Sequence, residues 1–582
     1  MTQTAKNNSA LLKRLFRYAK PYQLILFTSA ILAVVLAPLN ALTPYLTHIM
    51  VDEYIMKSDL DGLKYISLLY LLILLLTTVL RYFFVIMTNR LGQYVIHDLR
   101  NDVFRHLLSM RMSYFDKTPV GTNTTRTVSD LESVNVVFSE GLITIIADII
   151  GLLTLLGVMF YTSIKLTLIS LISMPLLILA SYIFKESVKK SFQRVRNEVA
   201  RMNGFLQESL SGMRIIQLFS SEKMINKKFK EINTTYTQAN IDGIFYYAVF
   251  FPVVEIISAA SLGFMVWWGA QGVLDQSVTI GQLVAFPMFL TRLFQPIRML
   301  ADKFNSLQMG LIASNRIFDT LDHSENDLNV GTIAPNSIKG DIQFENIMFG
   351  YQAQVPVLKS INFEVKAGTS LAIVGNTGSG KTTIISLLNR LYEFDSGNIY
   401  IDGVSIKEYD LHFLRRKMGL VLQDVFLFYG SLKDNISLFD PDITLDSIIE
   451  ASIAIGAHEF IEALPGGYDY QVAERGANLS LGQRQLISFV RALVFNPDIL
   501  ILDEATSSVD SYTESIIQHA IKRLITKRTS IIIAHRLSTI KHADQIISLQ
   551  NGKIVEKGTH EELLTQTDGL YSRLIHTHFT NN

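Results

Sequence analysis

The chain has 582 residues, 52 Lys and Arg against 52 Asp and Glu, no Cys, 49% hydrophobic residues and a mean hydropathy of +0.28. A single hydrophobic core stops growing at about 250–300 residues, so at least two domains are expected. The balanced charge excludes a global electrostatic pull toward nucleic acid, and the missing Cys excludes disulfides, thiol nucleophiles and thiolate metal sites.

The N-terminal segment carries Lys6, Lys13, Arg14, Arg17 and Lys20 and runs into an apolar stretch without a small-residue cleavage site, so no removable signal peptide is expected. A spanning helix needs about 20 mostly apolar residues. Six stretches meet that length: Tyr22 to Met50, Leu63 to Met87, Phe138 to Thr162, Leu166 to Lys185, Gly243 to Ala270 and Val278 to Phe304. The loop after the first span holds Asp52, Glu53, Asp59 and Asp61 against Lys57, whereas the connection after the fourth is rich in Lys and Arg. Because Lys and Arg collect on the cytosolic side, both termini are expected in the cytosol. The connections 88–137 and 186–242 keep helical apolar spacing, as in LRNDVFRHLLSM, so spans two to five should continue as cytosolic levers with tips near Ser113 to Pro119 and Ser209 to Ile215.

Ionisable groups at membrane depth are expensive and usually functional. Asp148 and Glu255 sit near the middle of their spans, where they either anchor a cationic substrate or bond helix to helix. Arg81, Arg292 and Arg298 lie nearer span ends, where snorkelling or an ion pair suffices. The cluster Phe245, Tyr246, Tyr247, Phe250 and Phe251 reads as an interfacial belt before a ligand platform.

A polar stretch from His323 to Ser337 reads as a linker end, and an alternating segment begins at Asp341. The run TSLAIV then leads into GNTGSGKT, Gly375 to Thr382, followed by IISLLNRLY. Strand, glycine loop and helix in that order form a phosphate-binding loop. Gly375, Gly378 and Gly380 let the backbone turn with N–H groups inward, Lys381 supplies charge to the terminal phosphates, and the Thr382 hydroxyl suits Mg²⁺. Asn376, Thr377, Ser379 and Thr383 complete the loop and the helix start. Further on, DILILDEATSSVD places Ile499 to Leu502 before Asp503 and Glu504, as at the end of a buried strand. Asp503 is then the Mg²⁺-side carboxylate, and Glu504 can orient and deprotonate water.

Between these motifs stands LSLGQ, Leu479, Ser480, Leu481, Gly482 and Gln483, which resembles the signature of ATP-binding-cassette proteins. Tyr351, Gln423, the ERG of Glu474 to Gly476, Asp510 and His535 follow that family's pattern, and the whole chain resembles a bacterial type IV exporter half-transporter. The resemblance implies a multidomain membrane protein, an all-α six-helix transmembrane domain followed by an α/β P-loop NTPase domain. Its parts are an elbow segment 1–21, a membrane domain 22–320, a linker 321–340 and a nucleotide-binding domain 341–582. It further implies ATP and Mg²⁺, with Tyr351 stacking on adenine, Gln423 joining the metal site to the levers, His535 at the γ-phosphate and Asp510 communicating across a dimer. The signature would reach the nucleotide of a second half-transporter, identical or different. Export of a drug-like, lipid or peptide amphiphile across a bacterial inner membrane is implied; a lipid flippase or chelate importer is the alternative. Leu481 replaces the family's usual glycine, where side-chain bulk or a lost positive φ would matter.

Overall fold

The computed structural model describes residues 2–323, 331–352, 355–503, 511–533, 537–566 and 568–579, and within its helices leaves a few side chains aside, those of 297–302, 304 and 305 among them. Its contacts separate two units, one of Met1–Leu108 with Thr118–Ser324, the other of Ser109–Lys117 with Glu325–Asn582.

The first unit is helical. After α1 (Thr2–Ala19) come α2 (Gln23–Ile49) and the 49-residue α3 (Leu60–Leu108). The short α4 (Met112–Lys117) belongs to the second unit, and α5 (Leu142–Thr162), α6 (Met174–Ser211), α7 (Glu222–Leu274) and α8 (Ile280–Leu321) return to the first. At 1.5 Å per residue α3 is about 74 Å long, more than twice the hydrocarbon thickness, so it extends far beyond a bilayer as the sequence reading expected.

Five helical segments, Ala10–Ile55, Leu60–Leu108, Val120–Thr162, Ile164–Ser211 and Glu222–Leu274, are long and apolar enough to cross a membrane. The sixth expected span falls on α8, a continuous helix in which several side chains are not among those described. Leu68, Leu72 and Leu75 on α3 are more than half exposed. Such a surface is stable when lipid or another apolar helix solvates it, and the intrahelical bonds leave no backbone group wanting water. Inside the unit, Phe286 and Phe289 are fully buried, and Phe184 stacks on Phe250 at 3.9 Å. The expected aromatic belt therefore divides: Phe250 is core, while Phe245 and Phe251 stay exposed.

The second unit is α/β. Strands β1 (Ile342–Phe349), β2 (Leu358–Val365) and β4 (Ser396–Ile401) form an antiparallel sheet in the order β2-β1-β4, extended by Val404–Ser405. The other sheet contains β3 (Ser370–Gly375), β5 (Met418–Val421), β6 (Ile499–Asp503), β7 (Thr529–Ile533), β8 (Gln545–Gln550) and β9 (Lys553–Gly558) in the order β9-β8-β3-β7-β6-β5. All pairs are parallel except β8 with β9. Every residue of β6 is buried, which explains its unbroken apolar run. Ile533 pairs with both Ile373 and Asp503, so β3 and β6, one strand apart, reach the same carboxyl edge of the sheet. Ligands of open α/β sheets bind at that edge.

Candidate nucleotide site

The loop after β3 owes its path to glycines. Gly375 has φ +153°, and a Cβ there would lie 2.3 Å from the Leu549 carbonyl oxygen; Gly380 has φ +108°, and its Cβ would meet Leu358 at 2.6 Å. Neither position admits a side chain without moving its neighbours. The turn delivers the chain into α9 (Lys381–Leu388), whose first N–H groups lack intrahelical partners and face anions well.

Three features mark this loop as an anion cradle. The Ser379 hydroxyl is buried without a hydrogen-bond partner. Lys381 Nζ donates to the carbonyls of Gly375 and Asn376, at 2.7 and 3.1 Å, holding its charge over the turn. Burial, acting ahead of the attraction of Asp503, pulls the Lys381 pKa below its ordinary value. An arriving phosphate offsets that desolvation and satisfies the orphan hydroxyl.

Asp503 ends β6 in the same place. Burial raises its pKa most strongly, with Lys381 and a hydrogen bond from Thr382 pulling the other way. A hydroxyl and a carboxylate in contact beside a phosphate cradle are the hard oxygen donors that Mg²⁺ prefers. Gln423 follows β5 in an exposed bend. Tyr351 presents a ring about half exposed, meets Phe349 and Tyr392 edge-on, and places its hydroxyl 3.2 Å from that of Thr383.

The signature opens α10 (Leu481–Val494). Ser480 is the N-cap: its hydroxyl accepts from Gln483 N–H at 3.2 Å, and the Gln483 side chain accepts from Ser480 N–H at 2.9 Å. Leu479 and Gly482 are buried, whereas Ser480 is exposed. Leu481 is the first helical residue and is absent from the left-handed region among the described residues, so no positive φ has been lost there. Side-chain bulk is what distinguishes it from glycine. Glu504, Asp510 and His535 lie outside the described residues.

In the membrane unit Asp148 is ion-paired with Lys303 and lines a cavity, while Glu255 is exposed on α7 and is not among the residues lining that cavity. Sequence reasoning missed Lys303 as the partner of Asp148 because 155 positions separate them. It also missed Tyr392, which stood inside an ordinary amphipathic run, and no spacing signal marks it.

A P-loop ATPase sheet joined to a bundle of bilayer-length helices defines an ATP-driven membrane transporter. Family models agree: the ABC transporter transmembrane region matches residues 26–297 and the ABC transporter model matches residues 358–507. The chain belongs to the ATP-binding-cassette transporters, as an exporter half-transporter of a bacterial inner membrane that couples ATP hydrolysis to transport. It is 36% identical over 580 residues to the uncharacterized ABC transporter ATP-binding protein YknV of Bacillus subtilis, covering 98% of this chain and 95% of that one. It is 35% identical over 571 residues to the ATP-dependent lipid A-core flippase of Desulfotalea psychrophila, covering 97% and 99%. A relative named as a probable multidrug resistance ABC transporter, YheH of Bacillus subtilis, is 36% identical over 487 residues, covering 82% of this chain and 72% of its own.

Proposed function

We propose that this half-transporter pairs with a second half and exports an amphipathic small molecule or lipid by alternating access, with ATP and Mg²⁺ held between two cassettes. The carrying observation is the cradle at Gly375 to Thr382, with its buried unpartnered Ser379 hydroxyl and its Lys381 already poised over the turn. Lys381 holds the terminal phosphates, Thr382, Asp503 and Gln423 hold the metal, and Tyr351 stacks on the base. Bound Mg²⁺ neutralises charge on the phosphates. Glu504 is assigned as base for the attacking water, His535 as the γ-phosphate contact, and Asp510 as the residue that communicates with the partner.

The exposed Ser480, at the N-terminus of α10, is the natural reach of the signature toward the partner's nucleotide. One chain carries one of each half-site, so two chains complete two sites. Tighter binding of ATP to the closed pair drives the membrane helices from inward-open to outward-open, and hydrolysis resets them. Both termini are assigned to the cytosol from the Lys and Arg distribution. Relatives named as a lipid A-core flippase and a multidrug resistance transporter support an amphipathic cargo and keep the flippase reading beside the drug-exporter one.

The test is the chain purified alone in proteoliposomes. Mg²⁺-dependent ATPase activity that disappears in Lys381→Ala supports a homodimer, and activity restored by adding another half-transporter supports a heterodimer. Equal hydrolysis by Lys381→Ala and the parent would sink the reading.

A further inference from the structure

A cavity of about 390 Å³ opens in the membrane unit between α2, α3, α5 and α8. Its walls include Leu36, Phe84, Leu152 and Leu155, and its charged groups among the described residues are Arg81, Arg292 and Asp148. The acid is already neutralised, since Lys303 donates to its carboxylate. Among the described residues that leaves two guanidinium groups. Arg81 has neither an ion pair nor a hydrogen bond among the described residues, and Arg292 donates to the backbone carbonyl of Asn40, which fixes its fork against α2. Arg81 and Arg292 line the same cavity, so their like charges repel.

We infer that this cavity binds the anionic head of an amphiphile, a phosphate or carboxylate, between Arg81 and Arg292, with the apolar body lying along Leu36, Phe84, Leu152 and Leu155. Two like charges among membrane helices are costly, and one anion relieves the repulsion of both. Guanidinium is the side chain whose planar donors match carboxylate and phosphate oxygens in pairs. The Asp148–Lys303 pair decides the sign. With its charge spent on Lys303, Asp148 does not offer the anchor for a cationic cargo that its sequence position raised. The inference rests on the exporter reading for its role in transport, though the binding itself is tested without ATP.

The experiment is native mass spectrometry of the full-length chain in non-ionic detergent, titrated with dodecyl phosphate, dodecyltrimethylammonium and inorganic phosphate. Dodecyl phosphate is expected to bind in preference to the other two. Arg81→Gln and Arg292→Gln should each weaken it roughly tenfold or more, the loss of a charge-assisted hydrogen bond, while Arg292→Lys recovers part of the affinity. Asp148→Asn frees the Lys303 charge and should strengthen dodecyl phosphate binding severalfold. Elution volume and helix content confirm that each variant is folded.

A preference for dodecyltrimethylammonium, equal binding of inorganic phosphate, or an Arg81→Gln/Arg292→Gln double variant within about twofold of the parent, against the tenfold expected, overturns the proposal. ATP hydrolysis measured on the same samples separates the two readings. Loss of the headgroup preference in an active ATPase removes this inference and leaves the exporter; a preserved preference without ATP-driven transport keeps the site and removes its role in export.

Discussion

Tyr392 donates its phenolic hydrogen to the carboxylate of Asp116, and its ring meets that of Tyr351 edge-on at 5.1 Å. Asp116 stands on α4, in the Ser109–Lys117 segment that folds with the cassette unit, and Tyr351 is the residue assigned to the adenine. Burial, then the hydrogen bond to Asp116, drives the Tyr392 pKa far above the usual phenol value, so the proton stays in place at any physiological pH. The three side chains form a continuous contact from the Tyr351 ring to the tip segment after α3.

Tyr392→Phe keeps the ring contact and deletes the bond to Asp116. Substrate-stimulated ATPase and transport should fall severalfold while affinity for a fluorescent ATP analogue stays within about twofold, because the aromatic surface under Tyr351 is retained. An equal loss in nucleotide affinity would show that Tyr392 serves the nucleotide pocket alone.

Ser480→Ala removes the N-cap of α10. The expected cost is about 1 kcal/mol of stability, together with a marked loss of ATPase activity if the signature meets the partner's nucleotide as proposed. Leu481→Gly should not rescue or raise activity through backbone freedom, since Leu481 already has helical geometry. It should instead lower stability by about 0.5–1 kcal/mol, read from denaturant unfolding. A large gain in activity from Leu481→Gly would show that side-chain bulk at the partner's nucleotide, invisible in one chain, sets the rate.

Glu504→Gln should keep ATP binding and trap the closed pair while slowing turnover by about 10²-fold or more, the usual contribution of a positioned base. Size-exclusion chromatography with ATP reads the trapped pair, and phosphate release reads turnover. Parent-like hydrolysis would move the base assignment elsewhere.

His560 supplies a pH test outside the membrane helices. Its Nδ1 lies 2.6 Å from the Tyr571 hydroxyl, and burial, followed by the charge of Lys541, lowers its pKa from 6.5. The unfolded chain therefore protonates first as the pH falls. Stability is complete above the unfolded value, declines as the pH drops from there toward the lower folded value, and levels off beneath it. Thermal midpoints recorded from about pH 7.5 to about pH 5 should fall in the parent, with a shallower slope in His560→Gln. Equal slopes would place the responsible proton on another group.

The sequence alone determined the two-part architecture and the glycine loop after β3, for reasons of length and local geometry. Bilayer thickness sets the length of an apolar helix whatever it packs against, and the loop from Gly375 to Lys381 is a local object whose glycines are required by their own φ angles and by backbone one strand away. Adjacent residues suffice to announce such features. Leu481 marks the limit of that reading: a Leu for Gly exchange raised a backbone question that the capping box of Ser480 and Gln483 answers only once the helix start is seen.

Tertiary structure decided everything that depends on which distant side chains meet. Asp148, open in the sequence between a cation anchor and a helix-to-helix bond, became half of an ion pair because α8 brings Lys303 against it, Glu255 was left on an exposed face, and Arg81 and Arg292 became neighbours across α3 and α8. Tyr392 acquired its meaning from Asp116, 276 positions away in the chain. Charge pairing at membrane depth is a matter of a few ångströms between helices, and periodicity along one helix carries no record of that distance.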